Sequence, residues 1–244
     1  MTTGTSDRKQ GLERLKGPDV PNDNVWYLHY KPFHEDLLSS LSDYAKGRLL
    51  DIGCGNKPYY DVVSPLTDDY VGCDIIQSSN QRVDIICAAN NIPLPDETFD
   101  TVISTQTIEH VEDHQGLLNE AFRLLKPGGH LILSGPMYWP LHEEPYDFFR
   151  FTKYGLTYLL KKSGFDVVTI KSNGGKWSVA GQALLHALMT DIRKFKSVRG
   201  RIFRRVFKIF GGVRTINRFF LYLDTKYLDH TNTMNYVVVA QKLK

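Results

Sequence analysis

Two acids and a pair of glycines carry the first chemical signal in this chain. The run Leu49-Leu50-Asp51-Ile52-Gly53-Cys54-Gly55-Asn56 begins apolar, reaches a carboxylate and gives way to a G-x-G turn. Glycine suits such a turn because the backbone must double back tightly and a ligand must approach without meeting a Cβ. The third glycine of a dinucleotide fingerprint is missing, and Pro58 and Tyr59 follow instead. That counts against a pyrophosphate resting on a helix N-terminus, the arrangement of nicotinamide enzymes. About twenty residues on, Val71-Gly72-Cys73-Asp74 ends a second apolar run in another acid. In a Rossmann-like fold Asp74 falls beside the glycine turn, where its oxygens accept from both hydroxyls of a ribose. The competing assignments are a helix N-cap or a solvated carboxylate at a strand end.

Two further groups fall beyond carboxyl strand ends, where open α/β sheets bind ligands. One is Glu109-His110. The other is the loop from Pro136 to Thr152, which concentrates aromatics, prolines and both charge signs around His142, Glu143, Asp147 and Arg150. Imidazoles titrate near neutral pH, so His142 and His110 are the candidates for a general base. The structural alternative pairs Arg150 with Glu143 or Asp147, leaves the phenylalanines in the core and has His110 orient its loop through backbone carbonyls. His142-Glu143-Glu144 lacks the second His of H-E-x-x-H, and Pro145 interrupts the helix that motif needs, so no metal is expected.

These groups need a scaffold, and the chain supplies one. Short, nearly continuous apolar runs at Arg48–Ile52, Tyr70–Cys73, Val83–Cys87, Phe99–Ser104 and His130–Ser134 read as parallel strands buried on both faces. His114–Leu125 repeats apolar residues on one helical face, with Lys126 at its last turn and Pro127-Gly128-Gly129 as its stop. Lys153–Lys162 reads as a helix capped by Thr152 and ended by Ser163-Gly164. Phe165–Ile170 and Tyr236–Ala240 look like the sixth and seventh strands. The alternation implies a doubly wound α/β sheet. Residues 1–22 are polar and rich in glycine and proline, and read as a flexible tail. Residues 23–244 form one domain, with 176–234 a basic helical insertion between the last two strands.

The formal charge of +3 conceals an asymmetry: between Asp191 and Asp224 there are ten Lys and Arg and no acid, which leaves −7 for the rest. Phe195, Val198, Ile202, Val206, Phe210 and Val213 recur at three or four residues there, with the cations interleaved. That is an amphipathic basic helix, interrupted near Gly211-Gly212. Its apolar face either packs on the domain or, over 192–220, lies on anionic lipid or covers an acidic or lipid-linked substrate. Nucleic acid is not expected, since the aromatics fall on the apolar face and form no stacking platform. The cysteines Cys54, Cys73 and Cys87 are odd in number and lack zinc spacing, which suits a reducing compartment. No secretory h-region and no membrane-spanning run is present, so the expected location is cytoplasmic, with membrane association through the basic segment.

Taken together, D-I-G-C-G-N, G-C-D, I-P-L-P-D-E-T-F-D-T-V-I-S, T-I-E-H-V and L-L-K-P-G-G-H-L-I-L, in this order, resemble the class I methyltransferases, and most closely the type 11 branch. The resemblance covers residues 48 to about 171. It implies a Rossmann-like seven-stranded sheet with the last strand antiparallel and S-adenosylmethionine as cofactor; helices from the N-terminal segment and from the insertion are expected to cap the carboxyl strand ends. The turn Asp51, Gly53, Cys54 and Gly55 would surround its methionyl part. Asp74 with Ile75 would hold the ribose, Ala89 and Asn90 would lie against adenine, and Thr105 and Gln106 would border the sulfonium. Ala88 stands where many members carry an acid for the adenine amino group, and Asn90 offers an amide oxygen instead. The difference is about one hydrogen bond, about 0.5–1.5 kcal/mol.

The expected reaction is methyl transfer to an oxygen or nitrogen of a small or lipid-linked acceptor, with oxygen and a saccharide-containing acceptor favoured. The run H-E-E-P-Y-D-F-F-R-F-T resembles a subgroup associated with surface-polysaccharide and glycolipid genes. A sulfonium methyl is already electrophilic, so alignment does most of the work, and a hydroxyl acceptor adds the need for a base. Two rivals stay open: a nicotinamide-dependent oxidoreductase, and a non-catalytic methyltransferase-like scaffold.

Overall fold

A computed structural model describes residues 17–194 and 198–243. The first helix, α1 (Tyr27–Tyr44), leads into β1 (Arg48–Ile52). A short α2 (Tyr60–Val63) precedes β2 (Asp69–Asp74) and β3 (Ile85–Ile86). Then come β4 (Phe99–Thr105), α3 (His114–Leu124), β5 (Leu125–Pro136), α4 (Lys153–Lys162) and β6 (Phe165–Asn173). Three helices follow, α5 (Lys176–Lys194), α6 (Val198–Ile209) and α7 (Gly212–Lys226), and β7 (Asn235–Lys242) closes the sheet.

The seven strands run in the order β3-β2-β1-β4-β5-β7-β6. β1 pairs in parallel with β2 and β4, and β4 with β5. β7 enters antiparallel between β5 and β6, with Ile132 opposite Val239 and Val167 opposite Ala240. One face packs against α3 and α4 through Leu117, Leu118, Leu124, Leu156 and Leu160. The other packs against α1 through Phe33, Leu37 and Leu41. Strands covered on both faces read as continuous apolar runs, which is why the sequence made them visible.

Thr152 caps α4 as expected, its hydroxyl accepting from the Gly155 N–H, and Gly164 takes a positive φ of 93° just past the helix. Elsewhere the boundaries differ. Pro127-Gly128-Gly129 does not stop α3, which ends at Leu124; β5 begins at once with Leu125 paired to Phe99. Lys126 therefore lies on a strand, and its ammonium bonds both oxygens of Asp100 at 2.8 and 2.9 Å. The run Val83–Cys87 shrinks to a two-residue strand. Side chains take over its edge: the Val83 N–H donates to Gln77 Oε1, and Asp84 Oδ2 accepts from Lys57 Nζ at 2.5 Å and the Gly72 N–H at 2.7 Å. Asn217 Nδ2 donates to the carbonyls of Asn22 and Asn24, and Val20 packs on the α1 core, so the chain is already tied down by residue 20. The tail expected at residues 1–16 lies outside the described residues.

The amphipathic basic segment of the insertion forms two helices, α6 and α7, broken at Gly211, where φ is +62°. Its apolar residues do not all pack inward: Ile202, Val206 and Phe210 are exposed, Phe210 to 77%. Phe195 and the side chain of Val198 lie outside the described residues. Asp224 on α7 ties that helix to the start of α5. Its carboxylate accepts from the backbone N–H groups of Gly175, Trp177 and Ser178 at 2.9–3.0 Å, capping α5 from a distant part of the chain. Orphan N–H donors at a helix start need such an acceptor, and the α5 dipole favours an anion there. Asp224→Ala is expected to lower stability by about 2–4 kcal/mol, since three buried donors lose a charged acceptor. Denaturant unfolding measures this; a loss under about 0.5 kcal/mol, the range of an ordinary surface change, would show that the cap is not what secures α7 to α5.

Candidate active site

A cavity of about 920 Å³ opens at the carboxyl ends of β1, β2 and β4. That is near the upper end of small-molecule pockets, roughly 300–1,000 Å³. Of the cofactor residues expected from sequence, Gly53, Cys54, Gly55, Asp74, Ile75, Ala89, Asn90, Thr105 and Gln106 all line it, together with His110 and His142. Asp51 does not. It sits behind the glycine turn, buried, with Oδ2 accepting from the Tyr70 hydroxyl at 2.5 Å. Burial raises its pKa to about 7, against the pull of the Tyr70 hydrogen bond and the nearby Lys57 charge.

The turn itself is shaped from within. Gly53 and Gly55 have φ of +78° and +50°, and a Cβ on Gly53 would collide with the side chain of Thr107. The glycines therefore answer to backbone conformation and to the neighbouring β4 turn as much as to any ligand. Asp74 braces the same turn: Oδ2 accepts from the Gly55 N–H at 3.0 Å and Oδ1 from the Ile75 N–H at 2.7 Å. A carboxylate oxygen can accept more than one hydrogen bond. Asn90 donates from Nδ2 to Asp113 Oδ2, which fixes its amide with the carbonyl as the acceptor. At the end of β4 Gln106 holds φ of +50°, its N–H and Nε2 both donating to Ser134 Oγ. A non-glycine residue in this region costs about 1–3 kcal/mol.

The other half of the cavity is aromatic and titratable. His29, Tyr30 and Phe33 reach it from α1, and Trp139, Tyr146 and Phe148 from the loop after β5. Trp139 packs on His29 with centroids 4.1 Å apart and on His186 of α5 at 5.1 Å. A contribution from the N-terminal helix was expected of the cap, although His29, Tyr30 and Phe33 were not singled out for it. The expected cap from the insertion is also absent: among the described residues none beyond Phe148 lines the cavity, and α5 only buttresses Trp139.

Glu109, His110 and His142 converge in this half. Glu109 is buried, with neither carboxylate oxygen hydrogen-bonded, and burial raises its pKa to about 7 against the charge of His110. His110 Nε2 lies 4.0 Å from Glu109 Oε1 and 4.0 Å from Glu143 Oε2. Its ring meets that of His142 edge-on at 4.6 Å. His142 Nδ1 sits 3.2 Å from both Asp147 Oδ2 and the Pro140 carbonyl. Arg150 takes the structural alternative, gripping Asp147 with two nitrogens at 2.6 and 2.8 Å and also donating to the Trp139 carbonyl. Burial alone would raise the Asp147 pKa. The Arg150 and His142 contacts outweigh it and hold the carboxyl at about 2.

Asp51 gives a pH prediction. Its folded pKa of about 7 exceeds the unfolded value near 3.9, so its stabilising contribution is full below about pH 4 and lost as pH rises through about 7. Asp51→Asn is expected to remove up to about 1.4 kcal/mol per pH unit of that decline. Denaturant midpoints measured from pH 4 to 8 check it, and an unchanged decline in the variant would refute the assignment.

Residues 50–133 match the model of a family described as a methyltransferase domain. A probable S-adenosylmethionine-dependent methyltransferase of Mycolicibacterium smegmatis is 30% identical over 165 residues, covering 62% of this chain and 63% of the relative. The chain thus spans less than two thirds of that relative's length. Among solved structures, a phosphoethanolamine N-methyltransferase 2 of Haemonchus contortus, in complex with S-adenosylmethionine, superimposes with a TM-score of 0.55 at 18% identity, over 97% of this chain and 60% of that one. The [4+2]-cyclase SpnF does so with a TM-score of 0.56 at 19% identity, over 88% and 82%. The nicotinamide alternative gives way to these matches. Residues 50–133 thus match a class I methyltransferase domain, and the relative that this chain resembles is named as S-adenosylmethionine-dependent.

Proposed function

We propose that this protein transfers the methyl group of S-adenosylmethionine to an oxygen of a small or lipid-linked acceptor that carries a ring, with a saccharide as one such group. The observation that carries the reading is the continuity of the cavity. Its cofactor half, from Gly53 and Asp74 to Thr105, runs into a half walled by aromatic rings and holding Glu109, His110 and His142. Rings on both sides suit a flat or ring-containing acceptor, and titratable groups suit a hydroxyl that must lose a proton as the methyl arrives. The cofactor supplies an electrophilic methyl group. The protein's share is to hold the ribose at Asp74, exclude water with Trp139 and Phe148, and take a proton at His110, His142 or Glu109.

The lipid-linked part rests on α6. Ile202, Val206, Ile209 and Phe210 are exposed next to Arg199, Arg201 and Arg205, which are exposed too. An apolar face flanked by cations suits the boundary of an anionic membrane. No described helix is long and apolar enough to cross one, so contact would be peripheral.

Calorimetric titration with S-adenosylmethionine and S-adenosylhomocysteine tests the first part. Asp74→Ala is expected to weaken both at least about tenfold, the loss of one charge-assisted bond of about 1.5 kcal/mol or more. No binding by the unaltered protein would sink the enzyme reading and favour the scaffold alternative, to which the cyclase lends an example of this fold under another activity. For the second part, sedimentation with phosphatidylglycerol vesicles should carry the protein down at low salt and release it at high salt. Equal recovery of Phe210→Ser and Ile202→Ser with the vesicles would rule out a role for this face.

A further inference from the structure

We propose that Glu109, His110 and His142 form a binding site for a divalent transition-metal ion, open toward the aromatic half of the cavity. One ligand atom from each of the three residues lies within 4.8 Å of the others. Metal–nitrogen and metal–oxygen bonds of about 2.0–2.2 Å place neighbouring ligands of a tetrahedral site about 3.4 Å apart, so the widest pair closes by more than about one ångström on binding. The His110–Glu109 pair, at 4.0 Å, closes by about half an ångström.

Three observations point to a cation. First, both oxygens of Glu109 are buried without a hydrogen-bond partner in a residue only 1% exposed. Buried carboxyl oxygens are costly unless something meets them, and a metal ion meets an oxygen directly. Second, the tautomers are set. His110 Nδ1 lies 2.7 Å from the Tyr146 carbonyl, an acceptor only, so Nδ1 carries the proton and Nε2 the lone pair. His142 Nδ1 lies between two further acceptors, the Pro140 carbonyl and Asp147 Oδ2, and is protonated for the same reason. Third, Asp147 is itself clamped by Arg150. A carboxylate that holds the far nitrogen of a ligating histidine is the usual outer support of a metal site.

The donor set narrows the ion. Two imidazoles and one carboxylate suit zinc, iron(II), cobalt or manganese better than the oxygen-seeking magnesium or calcium. Three protein ligands leave at least one position open. On the methyl-transfer reading, on which this use of the site rests, an acceptor hydroxyl fills that position. The ion makes its proton easier to lose. The proton passes to solvent, and an oxygen electron pair forms the new bond to the methyl carbon. The carbon–sulfur bond breaks with its electrons going to sulfur. The sequence hid the site because its ligands come from two turns, and the His142-Glu143-Glu144 spacing suggested a motif that the fold does not build.

The test is titration of the full, metal-stripped protein with cobalt(II), followed by visible absorption. One equivalent with the bands of a four- or five-coordinate site is expected. Glu109→Gln, close in shape, and His142→Ala, on the loop, should each weaken cobalt at least about tenfold while their circular dichroism stays unchanged. Asp74→Ala should keep cobalt and lose S-adenosylhomocysteine. No saturable cobalt in the unaltered protein, or equal affinity in both ligand variants, would overturn the site. S-adenosylhomocysteine binding without cobalt would remove the site and leave methyl transfer standing; cobalt without S-adenosylhomocysteine would do the reverse.

Discussion

Asp224 accepts from three backbone N–H groups at the start of α5, and much of the acceptor half of the cavity follows from that cap. The insertion must leave β6, fold back and return as β7, whose strand is buried between β5 and β6. With α5 fixed, His186 reaches Trp26 and Trp139, and Trp139 in turn packs on His29. The walls of a pocket formed by α1 and the loop after β5 are therefore steadied by an acid well removed from the chemistry. The link is mechanical: a carboxylate sets a helix, the helix sets a ring, and the ring sets a wall.

Three acids near the cavity show how environment sorts identical groups. Asp147 has a guanidinium on both oxygens and stays charged. Asp51 has a tyrosine hydroxyl on one oxygen and no guanidinium on either, and no other residue hydrogen-bonds the buried oxygens of Glu109. Desolvation dominates where partners are few. The first acid is thus a structural anchor for His142, the second a brace behind the glycine turn, and the third the group with most to gain from a ligand.

The sequence made the sheet legible because strands covered on both faces leave long apolar runs, and a carboxylate at the end of such a run lands at the carboxyl edge. Gly53, Gly55, Asp74, Asn90 and Gln106 reached the cavity for that reason. What stayed hidden came from elements that carry no such periodic mark. The α1 aromatics are addressed to the cavity only by packing, and Lys57 bridges Asp84 and the Tyr70 carbonyl through tertiary contacts alone. The stop signal Pro127-Gly128-Gly129 misled because proline and glycine also suit the start of a strand at a helix end. The apolar stripe of α6 was visible, but whether it faced the domain depended on the bend at Gly211.

Gly53 lies flush against Thr107, and Thr107 opens the short turn that carries Glu109 and His110. The two ends of the cavity therefore share one seam of backbone, with no slack for a methyl group between them. Displacement at one end is felt at the other, and such coupling is reciprocal by thermodynamic necessity. Whatever factor a ligand at the glycine turn contributes to affinity beside Glu109, the ligand beside Glu109 returns in full. Any factor by which ligands at the two ends alter each other's affinity is the same in both directions.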